Sequence, residues 1–284
     1  MVAPTELAPL TKTEFHQFQE LILSEAGITL NESKRILVQS RLARRLRGLG
    51  LSTYSDYLVY LAKQPPQSPE RREMINCITT NKTDFFRENH HFDFLRDRVI
   101  PEARARAQQG GPKKLRVWSA ACSTGEEPYS IAVTIQEALG PERNWDVKIL
   151  GSDIDTNVLA TAEAGIYDAE RFGPVPDALL RRYFMRRKSD GALLASDTLK
   201  SMIRFRRINF IDPAWPIRTT FDVIFCRNVI IYFNRVTQQR LFERLAQYLK
   251  PTGYLLVGHS ENLHWMNALL VPVRHTIYQL RSSE

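Results

Sequence analysis

Val117-Trp118-Ser119-Ala120-Ala121-Cys122-Ser123-Thr124-Gly125-Glu126-Glu127-Pro128-Tyr129-Ser130 is the stretch that decides how this chain reads. Its start has the composition of a buried strand. Small residues then make a tight turn, and a helix opens behind Gly125. A strand–turn–helix of this kind aims backbone N–H groups at a ligand, as nucleotide sites do. Here, however, the helix opens with two acids, Glu126 and Glu127. Acids suit the positive end of a helix dipole but repel a phosphate placed there. The turn Ser123-Thr124-Gly125 is also not a GxGxxG loop, so a nicotinamide dinucleotide fits poorly. The ligand expected here lacks phosphate at this point and carries a cation. S-adenosylmethionine (SAM), with its sulfonium and ammonium, meets both conditions.

Outward from the turn, strand and helix alternate, as in a parallel α/β sheet. Leu115–Ala121 reads as the first strand and Pro128–Leu139 as the first helix. Val147–Ser152 reads as the second strand, ending in Asp153-Ile154-Asp155, and Thr156–Ala164 as the second helix. The rhythm breaks between about 167 and 207, where a Ser189-Asp190-Gly191 turn sits between short apolar runs. That segment is expected to be an inserted antiparallel β subdomain with a hairpin. The parallel pattern is expected to resume at Ile208 and to continue with the strand Phe221–Cys226. Thr237–Leu249 reads as a helix, Pro251-Thr252-Gly253 as a turn, and Tyr254–Val257 as a strand. The tail Thr276–Leu280 alternates like a final antiparallel strand.

Residues 1–78 read as a separate helical domain. Thr13 is the expected N-cap of its first helix, with Phe15, Phe18, Leu21 and Ile22 at helical spacing behind it, and Ala26-Gly27-Ile28 looks like its end. The second helix, from about Ser33 to Leu46, carries the apolar stripe Val38, Leu42 and Leu46. Lys34, Arg41, Arg44 and Arg45 stand beside that stripe, and no acid lies between Lys34 and Arg47. These cations have no partner within their own helix. They form either a solvated basic face or a docking surface for an acidic partner. Residues 79–114 connect the two domains. In them a polar run with paired aromatics, Asn81 to Arg87, precedes a helical stripe of Phe92, Leu95 and Val99.

Bulk composition agrees with a globular α/β protein. The 284 residues suffice for one large domain and a smaller companion, and the formal charge is +8, from 39 basic and 31 acidic residues. A positive surplus suits acidic partners. Cys77, Cys122 and Cys226 stand far apart without metal-ligand spacing, so reduced, mostly buried thiols and no metal site are expected. No signal-peptide pattern and no apolar run of membrane-spanning length is present, so direct membrane insertion is not expected.

Ligands of doubly wound sheets bind at the C-terminal strand ends near a reversal of strand order. Asp153 ends the second strand and can accept hydrogen bonds from both hydroxyls of a ribose. It reads equally as a cap for the next helix, a role for which Asp155 competes. Phe225-Cys226-Arg227-Asn228-Val229-Ile230-Ile231-Tyr232-Phe233 runs a buried strand straight into a cation and an amide at the same edge. Buried arginine needs an anion or a ring face, so Arg227 is either a structural ion-pair member or a ligand contact.

Taken together, Asn81-x-Thr83-x-Phe85-Phe86-Arg87, Trp118 to Ser130, Ser152-Asp153-Ile154-Asp155, Phe225 to Phe233 and Gly258-His259-Ser260-Glu261-Asn262 resemble the CheR-type chemotaxis receptor methyltransferases. The resemblance runs in order from about residue 13 to 280. It implies a Rossmann-like class I SAM methyltransferase sheet over residues 115–284, behind the helical domain. It implies transfer of a methyl group from SAM to chemoreceptor glutamates, giving glutamyl methyl esters and S-adenosylhomocysteine. By the same resemblance Asn81, Thr83 and Arg87 fold over the cofactor, with Arg87 by its methionine end. Glu127 lies by the methionyl part, Asp153 holds the ribose, and Asn209 and Phe210 flank the adenine. Arg227 and Asn228 line the methionine side, and Tyr232 faces the transferable methyl with Arg87.

Arg87 and Tyr232 are therefore the candidate catalytic residues. Lys34, Arg41, Arg44 and Arg45 become the candidate docking face for the acidic helices of a receptor. The chain is expected to act as a cytoplasmic monomer recruited to receptor arrays at the inner membrane. Some relatives tether to a receptor's C-terminal peptide through a glycine-rich hairpin. Here the segment Arg187-Lys188-Ser189-Asp190-Gly191 is short with one glycine, which argues against that tether. Other readings of the chain are a SAM-binding signalling scaffold and a methyltransferase acting on another acidic protein or on nucleic acid. The segment Arg227-Asn228-Val229-Ile230-Ile231-Tyr232 does not look like a strand-end motif for handling a flipped base, which argues against nucleic acid.

Overall fold

The computed structural model describes residues 7–282, apart from 143 and 174. Four helices come first: α1 (Lys12–Ala26), α2 (Arg35–Gly48), α3 (Tyr54–Ala62) and α4 (Pro69–Ile78). The cap of α1 is Thr11, not Thr13. Thr11 Oγ1 accepts the Glu14 N–H and Glu14 accepts the Thr11 N–H, a reciprocal pair that only an acid three residues after the cap allows. Gly27 ends the helix in the left-handed region at φ 71°. Phe15, Phe18, Ile22, Leu42, Tyr54, Tyr57 and Met74 make this bundle its own apolar core.

The linker leads into a helix that runs as α5 (His90–Phe94), a π turn (Leu95–Val99) and α6 (Ile100–Gln108). The widened turn falls just before Pro101, which has no N–H to return to the carbonyl of residue 97.

The remaining chain gives β1 (Lys114–Ala120), α7 (Glu126–Leu139), β2 (Asp146–Asp153), α8 (Thr156–Ala164), β3 (Ile166–Tyr167), α9 (Asp177–Tyr183), β4 (Phe184–Arg186), β5 (Leu193–Ala195) and α10 (Asp197–Met202). After these come β6 (Ile203–Arg207), β7 (Phe221–Cys226), α11 (Arg235–Tyr248), β8 (Leu249–Val257), β9 (Leu270–Arg274) and β10 (Ile277–Leu280). Seven strands form one sheet in the order β6-β2-β1-β7-β8-β10-β9. The first five are parallel, β10 runs antiparallel to β8, and β9 antiparallel to β10. Strand order reverses between β1 and β7, which makes the crevice above them the expected ligand site.

The β1 side chains alternate between two cores. Val117 packs on the α7 side, whereas Trp118 packs with Trp215 and Phe221 on the other. Both faces of the strand are buried, as a central parallel strand requires. The buried Trp118 indole N–H donates to Ser152 Oγ at 2.8 Å and so ties β1 to β2.

Two expectations need correction. The three-stranded antiparallel sheet β3-β5-β4 is present, but residues 203–207 belong to the main sheet. The parallel pattern therefore resumes before Ile208, hidden in the sequence by the exposed arginines of an edge strand, Arg204 and Arg206. Pro251-Thr252-Gly253 is not a turn before a strand. It lies inside β8, where the pairing with β7 shifts register.

The helical bundle is fastened to the sheet at several points. Asn76 Nδ2 donates to Thr156 Oγ1 at 2.9 Å, Thr79 Oγ1 to Asp155 Oδ2 at 2.7 Å and Thr29 N to the Tyr232 carbonyl at 2.8 Å. These contacts hold residues 28–31 across the strand ends.

Candidate active site

The turn after β1 positions the site. Ala121 and Ser123 adopt φ of 68° and 50°, and Gly125 adopts 97°. Left-handed backbone in side-chain-bearing residues costs about 1–2 kcal/mol each, so it persists only where neighbours fix it. Here the Cys122 N–H bonds the Ser152 carbonyl at 2.8 Å, and the Ser123 N–H bonds Asp153 Oδ2 at 2.8 Å. At Gly125 a Cβ would stand 2.8 Å from both the Ala162 Cβ and the Tyr167 hydroxyl, so no larger residue fits.

Above the switch point lies a cavity of about 330 Å³. Asn81, Thr83, Arg87, Glu127, Asp153, Asn209, Phe210, Arg227, Asn228 and Tyr232 all line it. The structure thus brings together every residue expected to hold the cofactor or act in catalysis. Residues 28–31 and Lys34 of the helical bundle line it too, which the sequence did not foretell.

Asp153 and Asp155 divide their labour. Asp155 Oδ1 caps α8 through the Asn157 and Val158 amides, and its Oδ2 accepts from Thr79 Oγ1 and from Asn81 Nδ2 at 2.7 Å. Asp153 is thereby left to the cavity. Each of its oxygens accepts one backbone N–H, from Ser123 and from Asp155. Burial, opposed by these two bonds, pushes its carboxyl up to about 6.

Arg227, at the end of β7, lies between two acids. Its Nη1 is 2.9 Å from Glu127 Oε2 and its Nη2 is 3.0 Å from Glu88 Oε2. Nη2 also donates to the Arg87 carbonyl. Its Nε is buried without a hydrogen-bond partner among the described residues. Glu127 further accepts from Ser119 Oγ at 2.6 Å. Burial nevertheless raises the Glu127 carboxyl above its ordinary value, although Arg227 pulls it down. At Glu88 the balance goes the other way. Burial is outweighed by Arg227 and by bonds from the His259 amide and Asn228, which hold the carboxyl below the usual range.

Other cations at the cavity stay unpaired. Lys34, Lys82 and Arg87 line it, and none of them forms an ion pair among the described residues. Among the described residues Arg87 Nη1 donates only to the Lys82 carbonyl, at 3.0 Å. The Tyr232 hydroxyl has no hydrogen-bond partner among the described residues.

Several expectations change in detail. Asn209 lines the cavity, but its amide donates to the Glu25 carbonyl at 2.7 Å and so also braces α1. Glu126 does more than complement a dipole. It is fully buried and pairs with Arg171 at 2.8 Å, away from the cavity. In the basic face of α2, Arg41 turns inward to the carbonyl of Thr79 at 2.8 Å and caps α4. Arg45 grips Glu70, with Nε 2.9 Å from Oε1. Of the four candidate docking residues, only Lys34 and Arg44 are exposed. The partners of the other two come from α4, so a scan for acids within α2 could not find them.

Two acids escaped the sequence reading, Glu88 and Glu261. Glu261 is buried and accepts the N–H groups of Asn228 (2.9 Å), Val229 (3.0 Å), Ile230 (3.0 Å) and Gly258 (2.6 Å), fixing the loop after β7. Its place beside Gly258 in a strand-end motif was the available signal. His91, buried beside the exposed His90, bonds Thr276 Oγ1 at 2.9 Å and lies outside the cavity.

The donor set fits SAM. Asp153 keeps a free lone pair on each oxygen for ribose hydroxyls, the buried Arg227 Nε meets no acceptor among the described residues, and the first turn of α7 is acidic where a phosphate would need donors. The cavity also lies in the range of small-molecule sites.

Residues 81–278 match the family described as CheR methyltransferase, SAM binding domain. Residues 13–79 match CheR methyltransferase, all-alpha domain. Chemotaxis protein methyltransferase 2 of Pseudomonas aeruginosa is 45% identical over 94% of this chain and 93% of its own length. The probable chemotaxis protein methyltransferase of Rhizobium etli is 44% identical over 86% and 90%. The chemotaxis protein methyltransferase of Escherichia coli is 42% identical over 97% and 93%. Residues 81–278, which supply most of the cavity's lining, match a SAM-binding domain, and the chain belongs to the CheR methyltransferase family.

Proposed function

We propose that this SAM-dependent methyltransferase esterifies glutamate side chains on the acidic cytoplasmic helices of chemoreceptors. The observation that carries the reading is the set of unpaired cations, Lys34, Lys82 and Arg87, that line a cavity built for SAM. Such a rim complements a carboxylate on an acidic helix. The names of the relatives from Pseudomonas aeruginosa and Escherichia coli, both chemotaxis methyltransferases, point to a chemotaxis substrate.

SAM supplies an electrophilic methyl group on a sulfonium. The acceptor glutamate is ionised at neutral pH, its reference pKa being about 4.3, so it needs no general base. In keeping with this, no histidine lines the cavity among the described residues. What the protein supplies is alignment and exclusion of water, and positioning of this kind supplies roughly 7–11 kcal/mol. Arg87 orients the carboxylate through one oxygen or holds the cofactor carboxylate, because a two-oxygen salt bridge would quench the nucleophile. Tyr232 offers its free hydroxyl beside it. Asp153 holds the ribose, Phe210 and Asn209 flank the adenine, and Glu127, Arg227 and Asn228 line the methionine end. Asn81 and Thr83 cover the cofactor from the linker.

In this reading residues 1–78 dock the receptor, 79–114 connect, and 115–284 carry the chemistry. Lys34 and Arg44 are the docking charges. The receptor's C-terminal peptide plays no part. The turn joining β4 to β5 is closed on itself, with the Arg187 N–H on the Ala192 carbonyl at 2.7 Å and Arg187 Nε on Asp190 at 2.9 Å. Among the described residues no helix is long and apolar enough to cross a membrane, so recruitment to receptor arrays runs through the receptor itself. The test is transfer of labelled methyl from SAM to receptor-rich membranes. Label in the receptor supports the reading, and an unlabelled receptor beside a cofactor-binding enzyme overturns it.

A further inference from the structure

Glu88 follows Arg87 directly, and its backbone, like that of Phe86 before Arg87, is left-handed, with φ of 58° and 54°. Arg87 thus stands between two residues in a conformation that side-chain-bearing residues rarely adopt. Both are anchored. The Phe86 N–H donates to Ser130 Oγ on α7 at 2.9 Å. The Glu88 carboxylate receives Arg227 Nη2 at 3.0 Å, Asn228 Nδ2 at 3.2 Å and the His259 N–H at 3.1 Å. It therefore joins the linker to the ends of β7 and β8 at once, and these three hydrogen-bond partners are all donors, while the buried His91 Nδ1 stands 3.7 Å from Oε2, beyond hydrogen-bond reach.

From this geometry we infer that Glu88 is a positioning residue for methyl transfer, acting through Arg87. It clamps the linker turn onto the strand ends so that the Arg87 guanidinium projects into the cavity. It also neutralises part of the Arg227 charge, which leaves Arg87 as the linker's free guanidinium there. The inference rests on the proposed role of Arg87 in binding the acceptor or the cofactor. Because every hydrogen-bond partner is a donor, a glutamine at 88 must turn its NH₂ away from at least one of them and lose that bond. Glu88→Gln therefore breaks the clamp with almost no change in volume.

A double-mutant cycle tests the clamp. In methyl transfer to receptor-rich membranes, Glu88→Gln lowers kcat by about tenfold or more, and in an Arg87→Ala background the same change costs less than about threefold. Glu88→Asp, which keeps an all-acceptor group, recovers part of the rate. Equal losses with and without Arg87 would make Glu88 a purely structural brace and overturn the inference, as would wild-type kcat in Glu88→Gln. If wild-type enzyme binds cofactor but leaves receptors unlabelled, the acceptor assignment fails instead. The cycle is then read on S-adenosylhomocysteine affinity by calorimetry, where additivity, including no effect of either change, overturns the clamp. If Glu88→Gln does not fold, the Glu88→Asp cycle decides in the same way.

Discussion

Arg227 Nη1 lies 2.9 Å from Glu127 Oε2, and through this contact the end of β7 is tied to the first turn of α7. Both side chains are largely removed from water, at 2% and 13% exposure. Removing one partner of such a pair strands the other charge, at a cost of about 3–5 kcal/mol. Arg227→Ala strands Glu88 as well as Glu127. Urea unfolding of Arg227→Ala should show a loss in that range, together with weakened cofactor binding. A loss under about 1 kcal/mol would show that these acids are solvated or neutral, and that the pair does not join the two elements.

The carboxyl of Asp153, pushed up to about 6 by burial, gives the site a pH dependence of known sign. Ribose hydroxyls donate to the ionised form and so lower this pKa on binding. Cofactor affinity should then rise about tenfold per pH unit as pH climbs toward 6, and level off above it. For the cofactor-free protein the same shift contributes stability below the unfolded value of about 3.9, lost as pH rises through about 6. Calorimetric titration with S-adenosylhomocysteine from about pH 5 to 8 checks the first statement. Affinity that stays flat below pH 6 would separate Asp153 from the ribose.

The basic face of α2 divides into two groups with different expected phenotypes. Arg44→Glu reverses an exposed charge outside the cavity and should raise the receptor KM about tenfold at low salt, leaving cofactor affinity and melting temperature unchanged. Arg45→Glu opposes Glu70, whose Oε1 also accepts the buried Tyr57 hydroxyl at 2.8 Å, and should destabilise the helical domain. Steady-state kinetics and thermal melts separate the two. An unchanged receptor KM in the first variant would remove α2 from docking.

The sequence revealed most where local chemistry is decisive. The small-residue turn from Ala121 to Gly125 gave the sheet's first crossover, and the acids Glu126 and Glu127 excluded a phosphate ligand before any fold was known. Asp153 and Asp155 competed for the cap of α8 in the sequence, and the structure assigns it to Asp155. What stayed hidden depends on contacts between distant segments. Arg41 and Arg45 look free until α4 packs beside them. Glu88 and Glu261 become anchors only when the linker and the loop after β8 converge on Arg227 and Asn228. The edge strand β6 escaped because its exposed arginines hide the apolar run expected of a parallel strand.

The central claim is that the acceptor is a glutamate carboxylate. Methyl esters are cleaved by mild alkali, whereas methylated lysine, arginine and histidine survive it. Receptor labelled by this enzyme from methyl-labelled SAM should therefore release its label as volatile methanol on alkaline treatment. Label that enters the receptor but stays with the protein in alkali would contradict the assignment.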